Sequence, residues 1–224
     1  MKTTPPAKFK NKTLLITGGT GSFGKTVLKR FLKSDLKEIR IFSRDEKKQD
    51  DLRKALNNDK VKFYIGDVRN YESIYDAMAG VDYVFHAAAL KQVPSCEFYP
   101  MEAVQTNILG AENVLRAAIS NQVERCIVLS TDKAVNPVNL YGATKLAADA
   151  LVKNVLAAMG KRIDQLDWMA PETKAKAHAK LAAFTPKIGY PDRWKDYSGL
   201  KIVSGDAFGN ALRAAQWRHE DNIA

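Results

Sequence analysis

Tyr141 and Lys145 stand four residues apart in the run Tyr141-Gly142-Ala143-Thr144-Lys145. On a helix that spacing stacks a phenol and an ammonium on one face. A phenol ionises near pH 10, and a neighbouring cation lowers that value. Tyr141 is therefore a candidate base for an alcohol proton, with Lys145 as its electrostatic partner. Shortly before them comes Ser130-Thr131-Asp132-Lys133, where the Thr131 hydroxyl could orient that alcohol. A tyrosine and a lysine at this spacing recur by chance, so their weight comes from position, after a strand and beside a phosphate-binding turn.

That turn is Thr17-Gly18-Gly19-Thr20-Gly21-Ser22-Phe23-Gly24. Glycines allow a tight bend, let backbone approach a pyrophosphate and permit close packing of helix on strand, while free N–H groups at a helix start stabilise negative charge. About twenty residues further on, a dinucleotide with a free 2'-hydroxyl usually meets an acidic residue. Ser43 and Arg44 occupy that place, with Lys47 close behind. A hydroxyl, a guanidinium and an ammonium suit a 2'-phosphate, so NADP is expected over NAD. Asp67 and Val68 follow a third strand, and Ala87, Ala88 and Ala89 follow a fourth; small residues there leave room for a cofactor. His86 reads as a packed strand-end residue, because no acidic partner is evident in sequence.

The elements that must position these groups alternate. Short β-branched runs are expected as strands at 13–17, 38–43, 61–65, 83–86 and 125–130, apolar enough to be buried on both faces. Helices are expected at 24–32, 46–56, 71–78, 106–119 and from 141 onward. Such alternation implies an α/β fold, an incomplete doubly wound parallel sheet of Rossmann type with five strands. Past residue 152 all three tryptophans occur, Trp168, Trp194 and Trp217, and the pattern reads as helical. Two domains are expected, an NADP-binding one over 1–152 and a helical segment over 153–224. Leu146, Ala150, Val155, Met159, Ile163 and Leu166 recur at helical spacing, so one long helix is expected to bridge them. Pro171 suits the first turn of a helix over 172–184, and a last helix is expected to start near Asp206.

With 224 residues, 46% hydrophobic and 27% charged, the chain is long enough for a sizeable core and too ordinary in composition for disorder. No apolar run reaches the roughly 18 to 20 residues of a membrane span, and the first residues lack a signal-peptide core, so the cytoplasm is expected and no membrane partner. A net charge of +10 is spread without a basic stripe, which argues against nucleic acid. Two cysteines, Cys96 and Cys126, form neither a disulfide framework nor a zinc motif. No metal site is expected, and a homo-oligomer stays open.

The motifs ITGGTGSFGK, FSRDEKKQ, FYIGDVRN, HAAALKQVP, TNILGAENV and LSTDKAVNPVNLYGATKLAAD carry a resemblance. Residues 11–152 resemble the inverting UDP-N-acetylglucosamine 4,6-dehydratases, extended short-chain dehydrogenase/reductases of bacterial surface-sugar biosynthesis. The lysine of Thr131-Asp132-Lys133 is what resembles the inverting group. The resemblance implies that Tyr141 takes the proton of the sugar's 4-hydroxyl while NADP takes the hydride. Lys133 then removes the proton at carbon 5, Asp132 assists loss of the 6-hydroxyl as water, and hydride returns to carbon 6. It also implies that Lys91 and Asn107 sit near cofactor or substrate.

Family members continue with a sixth strand and a nucleotide-sugar lobe that this sequence lacks. Residues 156–224 instead resemble an interior helical stretch of neprilysin-type zinc metalloendopeptidases, in RIDQLDWMAPETKAKAHAKL, TPKIGYPDRWKDYSGL and GDAFGNALRAAQW. Those enzymes need two histidines four residues apart on a helix. Here His219-Glu220 is followed by Ile223 in the second position, and His178 has no ligand partner at helical spacing, so this segment is expected to be non-catalytic. The alternatives to a dehydratase are an NADP-binding module without turnover and a helical fragment joined to an inert sheet.

Overall fold

The computed structural model describes residues 9–182 and 198–221. They form two compact units, residues 1–189 and 190–224. In the first unit the chain alternates strand and helix from β1, Thr13–Thr17, whose five residues TLLIT are all buried. β2 is Glu38–Ser43, β3 Val61–Ile65, β4 Tyr83–His86 and β5 Arg125–Val128. All pairings are parallel, in the order β3-β2-β1-β4-β5, with Leu14 opposite both Ile39 and Tyr83. The expected α/β sheet is therefore present.

Two helical layers cover it, because successive side chains of a strand point to opposite faces. On one face Leu14, Ile16, Ile39, Ile41 and Val61 pack with Val27 and Leu28 of α1, Ser22–Leu32. On the other, Leu15, Phe42 and Val84 pack with Ile74 and Ala77 of one helix and Val114, Ala117 and Ala118 of another. Burying each such side chain contributes about 1.5–3 kcal/mol. At the amino ends of the strands, Lys12 Nζ bridges Asp82 and Glu124, and the Asp82 carboxylate accepts from the Thr13 N–H at 2.8 Å.

The helices follow their capping residues. α2, Glu46–Leu56, starts where the Asp45 carboxylate accepts from the Lys48 N–H at 2.9 Å, and it ends at Asn57 in a left-handed conformation, φ 40°. α3, Tyr71–Ala77, starts where Asn70 accepts from the Ser73 N–H. The helix expected over 106–119 is a π-helical turn, Gln105–Leu109, continued by α6, Gly110–Ser120, and before it the chain folds two short helices that were not expected, α4, Val93–Phe98, and α5, Pro100–Val104. Proline in the first turn of α4 and of α5 marks a helix start rather than a loop.

α7, Leu140–Asp164, runs without a break past residue 152, as the helical spacing of the apolar residues requires. α8, Pro171–Ala182, turns back after it, with Asp164 accepting from Lys174 Nζ at 2.7 Å and pairing with His178 Nε2 at 2.6 Å. In the second unit α9, Ala207–Asp221, starts where Asp206 accepts from the Gly209 N–H. Residues 183–197, with Trp194 and most of TPKIGYPDRWKDYSGL, lie outside the described residues, as do the side chains of His219 and Glu220.

One expectation fails in an informative way. The strands are not all buried on both faces: Ile65 of β3 is 59% exposed and Ile127 of β5 is 53% exposed. Both strands lie at the edges of the sheet, where a neighbouring layer covers one side at most. β5 also ends two residues early, because Ser130 turns away to donate to Asp149 on α7 at 2.6 Å. Leu15→Ala, at a fully buried central position, is expected to cost about 2–5 kcal/mol in urea unfolding. Ile127→Ala, on the open face, should cost under about 0.5 kcal/mol.

Candidate active site

The first βα turn is built on missing side chains. Gly18 has φ +64°, and a Cβ there would lie 2.8 Å from the Ala88 nitrogen, so the turn rests directly on the tip of β4. At Gly24 a Cβ would lie 2.5 Å from the Gly18 carbonyl, so α1 packs against the turn backbone. Gly21 differs, since a Cβ there would meet only the Gly18 carbonyl, at 3.3 Å; its open side is where an anion can approach. α1 starts at Ser22 with no side-chain cap from Gly21, which leaves N–H groups of the first turn for a ligand. Thr20 is buried, and Phe23 stacks on Phe85 with ring centroids 5.7 Å apart. This cradle fits the pyrophosphate of a dinucleotide.

At the tip of β2 the Ser43 hydroxyl accepts from Gln49 Nε2 at 3.0 Å. Arg44 pairs with Asp67 at 3.5 Å, while Arg69 holds the same carboxylate at 2.8 and 2.7 Å and Glu102 at 2.6 Å. Burial pushes the Asp67 carboxyl up, but the Arg69 hydrogen bonds and the Arg44 charge outweigh it and hold it below the ordinary carboxylate range. Lys47 is highly exposed and its ammonium lies 2.9 Å from Asp51, one turn along α2. Val68 is buried under α6, against Gly110, and its carbonyl accepts from Asn113 at 3.0 Å.

At the tip of β4 the Ala87 N–H donates to the Thr17 carbonyl at 3.2 Å and the Ala88 N–H to the Thr17 hydroxyl at 3.3 Å, with half-buried Ala89 following. Lys91 beyond them is exposed. Asn107, in the π-helical turn, is buried; its carbonyl oxygen accepts from the Leu90 N–H, and its Nδ2 donates to the Leu90 carbonyl and to Thr144 Oγ1. It ties the loop after β4 to α7, and its hydrogen-bonding groups are all engaged inside the protein.

Asn139 caps α7 by accepting from the Gly142 N–H at 2.9 Å, and Glu97 accepts from the Leu140 N–H at 2.7 Å. A side chain at Gly142 would collide with the Lys133 carbonyl, so the start of α7 sits directly on the short 3-10 turn Asp132–Ala134. That contact gathers Thr131, Asp132 and Lys133 beside half-buried Tyr141. Thr131 donates to Asp132 at 2.9 Å, and this bond, with the Lys133 charge, lowers the Asp132 carboxyl. One turn after Tyr141, Lys145 is buried and donates to the Leu129 carbonyl. Burial lowers its pKa, and Asp149, one turn on, partly offsets that. Among the described residues no cluster could hold a metal ion, and no helix is long and apolar enough to cross a membrane.

Sequence reasoning gave no role to Asp149 and Gln49, buried polar residues that close the motifs LSTDKAVNPVNLYGATKLAAD and FSRDEKKQ. His86 is fully buried with Nδ1 2.7 Å from Thr17 Oγ1. Burial, with the nearby Lys145 charge, drops its pKa to about 3, so it is neutral. The unfolded chain then binds a proton below about pH 6.5 that the folded chain refuses. Folded stability is expected to fall as pH drops from 6.5 toward 3, by up to about 1.4 kcal/mol per unit from this group. His86→Gln should flatten the slope of stability against pH in that window, as read by denaturant titration at each pH.

The profile of the polysaccharide biosynthesis protein family matches residues 14–166. UDP-glucose 4-epimerases of Rickettsia prowazekii (strain Madrid E) and Rickettsia bellii (strain RML369-C) are 73% and 74% identical over 147 residues, 64% of this chain. The chain spans only 43% of the length of those relatives. The solved structure of Pen from Bacillus thuringiensis has a TM-score of 0.67 at 44% identity, covering 68% of this chain and 48% of that one. The UDP-Glc/GlcNAc 4-epimerase of Campylobacter jejuni has a TM-score of 0.58 at 21% identity, covering 66% of this chain and 50% of that one, a likeness of fold. None of these relatives supports the metallopeptidase likeness of residues 156–224. A match over residues 14–166, which carries the glycine turn, Ser43-Arg44 and the Tyr141–Lys145 pair, means that the chain belongs to the polysaccharide biosynthesis protein family.

Proposed function

We propose that residues 11–152 are the NADP-binding half of an enzyme that modifies a nucleotide sugar, with UDP-N-acetylglucosamine as the substrate and 4,6-dehydration as the reaction. The observation that carries this reading is the seat of α7 on the turn at Asp132, which puts Tyr141 and the Thr131-Asp132-Lys133 run together. Residues 153–224 are read as a helical segment without a catalytic role.

Gly18, Thr20, Gly21, Ser22, Phe23 and Gly24 would hold the pyrophosphate, Ser43, Arg44 and Lys47 the 2'-phosphate, and Asp67, Val68 and Ala87 to Ala89 the walls beside it. The chemistry such a dinucleotide supplies is reversible hydride uptake. Tyr141 takes the proton from the sugar's 4-hydroxyl, Thr131 orients that hydroxyl, and the Lys145 ammonium favours the phenolate. Once carbon 4 is a ketone, the proton on carbon 5 is acidic enough for Lys133 to remove. Asp132 assists loss of the 6-hydroxyl, which takes up the proton that Lys133 removed and leaves as water; return of the hydride to carbon 6 and of the proton held by Tyr141 to carbon 5 completes the 4-keto-6-deoxy sugar.

A 4-epimerase is the second reading, favoured by the printed names of the Rickettsia relatives. Both readings share the first step and part at Lys133, which epimerisation does not need. Incubation of the whole chain with UDP-N-acetylglucosamine or UDP-glucose, followed by proton NMR, separates them. The expected product is a 4-keto-6-deoxy sugar; inversion at carbon 4 alone would establish the second reading. Tyr141→Phe should lower turnover at least about 100-fold with cofactor binding retained. NADP at about a hundred times its Kd should stabilise the folded chain by about 2.7 kcal/mol, and Arg44→Ala should weaken NADP far more than NAD. Equal weakening of both would refute the 2'-phosphate role.

A further inference from the structure

Gln49 of α2 is 1% exposed, and its amide is pinned in one orientation. Nε2 lies 3.0 Å from the Ser43 carbonyl, 3.0 Å from Ser43 Oγ and 2.8 Å from the Tyr64 carbonyl, three acceptors that share its two hydrogens. Carbonyl oxygens only accept, so the nitrogen must face them, and Oε1 is left buried with no partner. An orphaned acceptor is costly, but turning the amide over would set Oε1 against two carbonyl oxygens, neither of which can donate to it. The tip of β2 thus keeps a strained polar arrangement whose visible effect is on one hydroxyl.

The amide nitrogen that faces Ser43 Oγ can only donate, so the Ser43 proton does not go to Gln49 and is available to be given outward. Ser43 is half-buried at the end of β2, next to the exposed Arg44. A donor hydroxyl beside a guanidinium matches an anion that only accepts. A ribose 2'-hydroxyl gains less there, because Ser43 and Arg44 stand in place of the carboxylate that would take its proton, and the guanidinium only donates. We propose that Gln49 is a positioning residue for cofactor choice, fixing Ser43 as a hydrogen-bond donor and so selecting a 2'-phosphate over a 2'-hydroxyl. This rests on the reading of the glycine turn and β2 tip as a dinucleotide site.

The test uses adenosine 2',5'-bisphosphate and 5'-AMP, which differ at the 2'-position alone, titrated calorimetrically into the whole chain. The wild type is expected to prefer the bisphosphate at least about tenfold, since hydrogen bonds to charged groups contribute that much or more. Gln49→Met should cut the preference about fivefold while leaving 5'-AMP affinity within twofold. Ser43→Ala should cut it similarly, and the double variant should lose no more than either single one. Equal weakening of both ligands in Gln49→Met would reduce Gln49 to a structural part and overturn the proposal. An unchanged preference in Ser43→Ala would overturn it too, even if the Gln49 variant fails to fold. A wild type that binds neither ligand overturns the dinucleotide reading and this inference together, whereas equal binding of both overturns the inference and the NADP choice while the dinucleotide site stands.

Discussion

The carboxyl edge of the sheet depends on one close approach, the Gly18 backbone against the tip of β4. Any side chain at Gly18 would push into Ala88, and its left-handed φ is one that other residues adopt at a cost. Thr17 reinforces the seam by offering its carbonyl to Ala87 and its hydroxyl to both Ala88 and His86. The turn after β1 and the tip of β4 are thereby held as one seam. His86 belongs to this seam as a neutral, desolvated spacer, consistent with its reading as a packed residue.

Most of this frame was legible because local and global signals agree along the first half of the chain. Four strands have the expected bounds, and α2 starts and stops where Asp45 and Asn57 require. Legibility failed where tertiary contacts override periodicity. The interval from Val93 to Leu109 carries two prolines and a π-helical turn, so its helical phase slips and no single apolar stripe can be followed. Exposure of Ile65 and Ile127 was invisible as well, because an apolar run does not say whether its strand lies at the centre or the edge of a sheet.

Site residues divide in the same way. Motif spacing found the residues that touch open space at the carboxyl edge, such as Gly21, Arg44, Asp132 and Tyr141. It could not show that Val68 and Asn107 are engaged within the fold, or that Asp67 is gripped by two arginines. Nor could it find Gln49 and Asp149, whose partners include Tyr64 and Ser130, fifteen and nineteen positions away in sequence. Buried polar side chains acquire meaning only from what surrounds them, and here they link the strand ends to α2 and α7.

The strand order has a consequence for how the chain comes into being. β1, entirely apolar or threonine, sits between β2 and β4, so its second neighbour arrives about 69 residues later in the sequence. At a synthesis rate of about 5–20 residues per second, that is a delay of roughly 3 to 14 s. During that interval a strand whose five residues are all buried in the finished sheet has one edge unpaired.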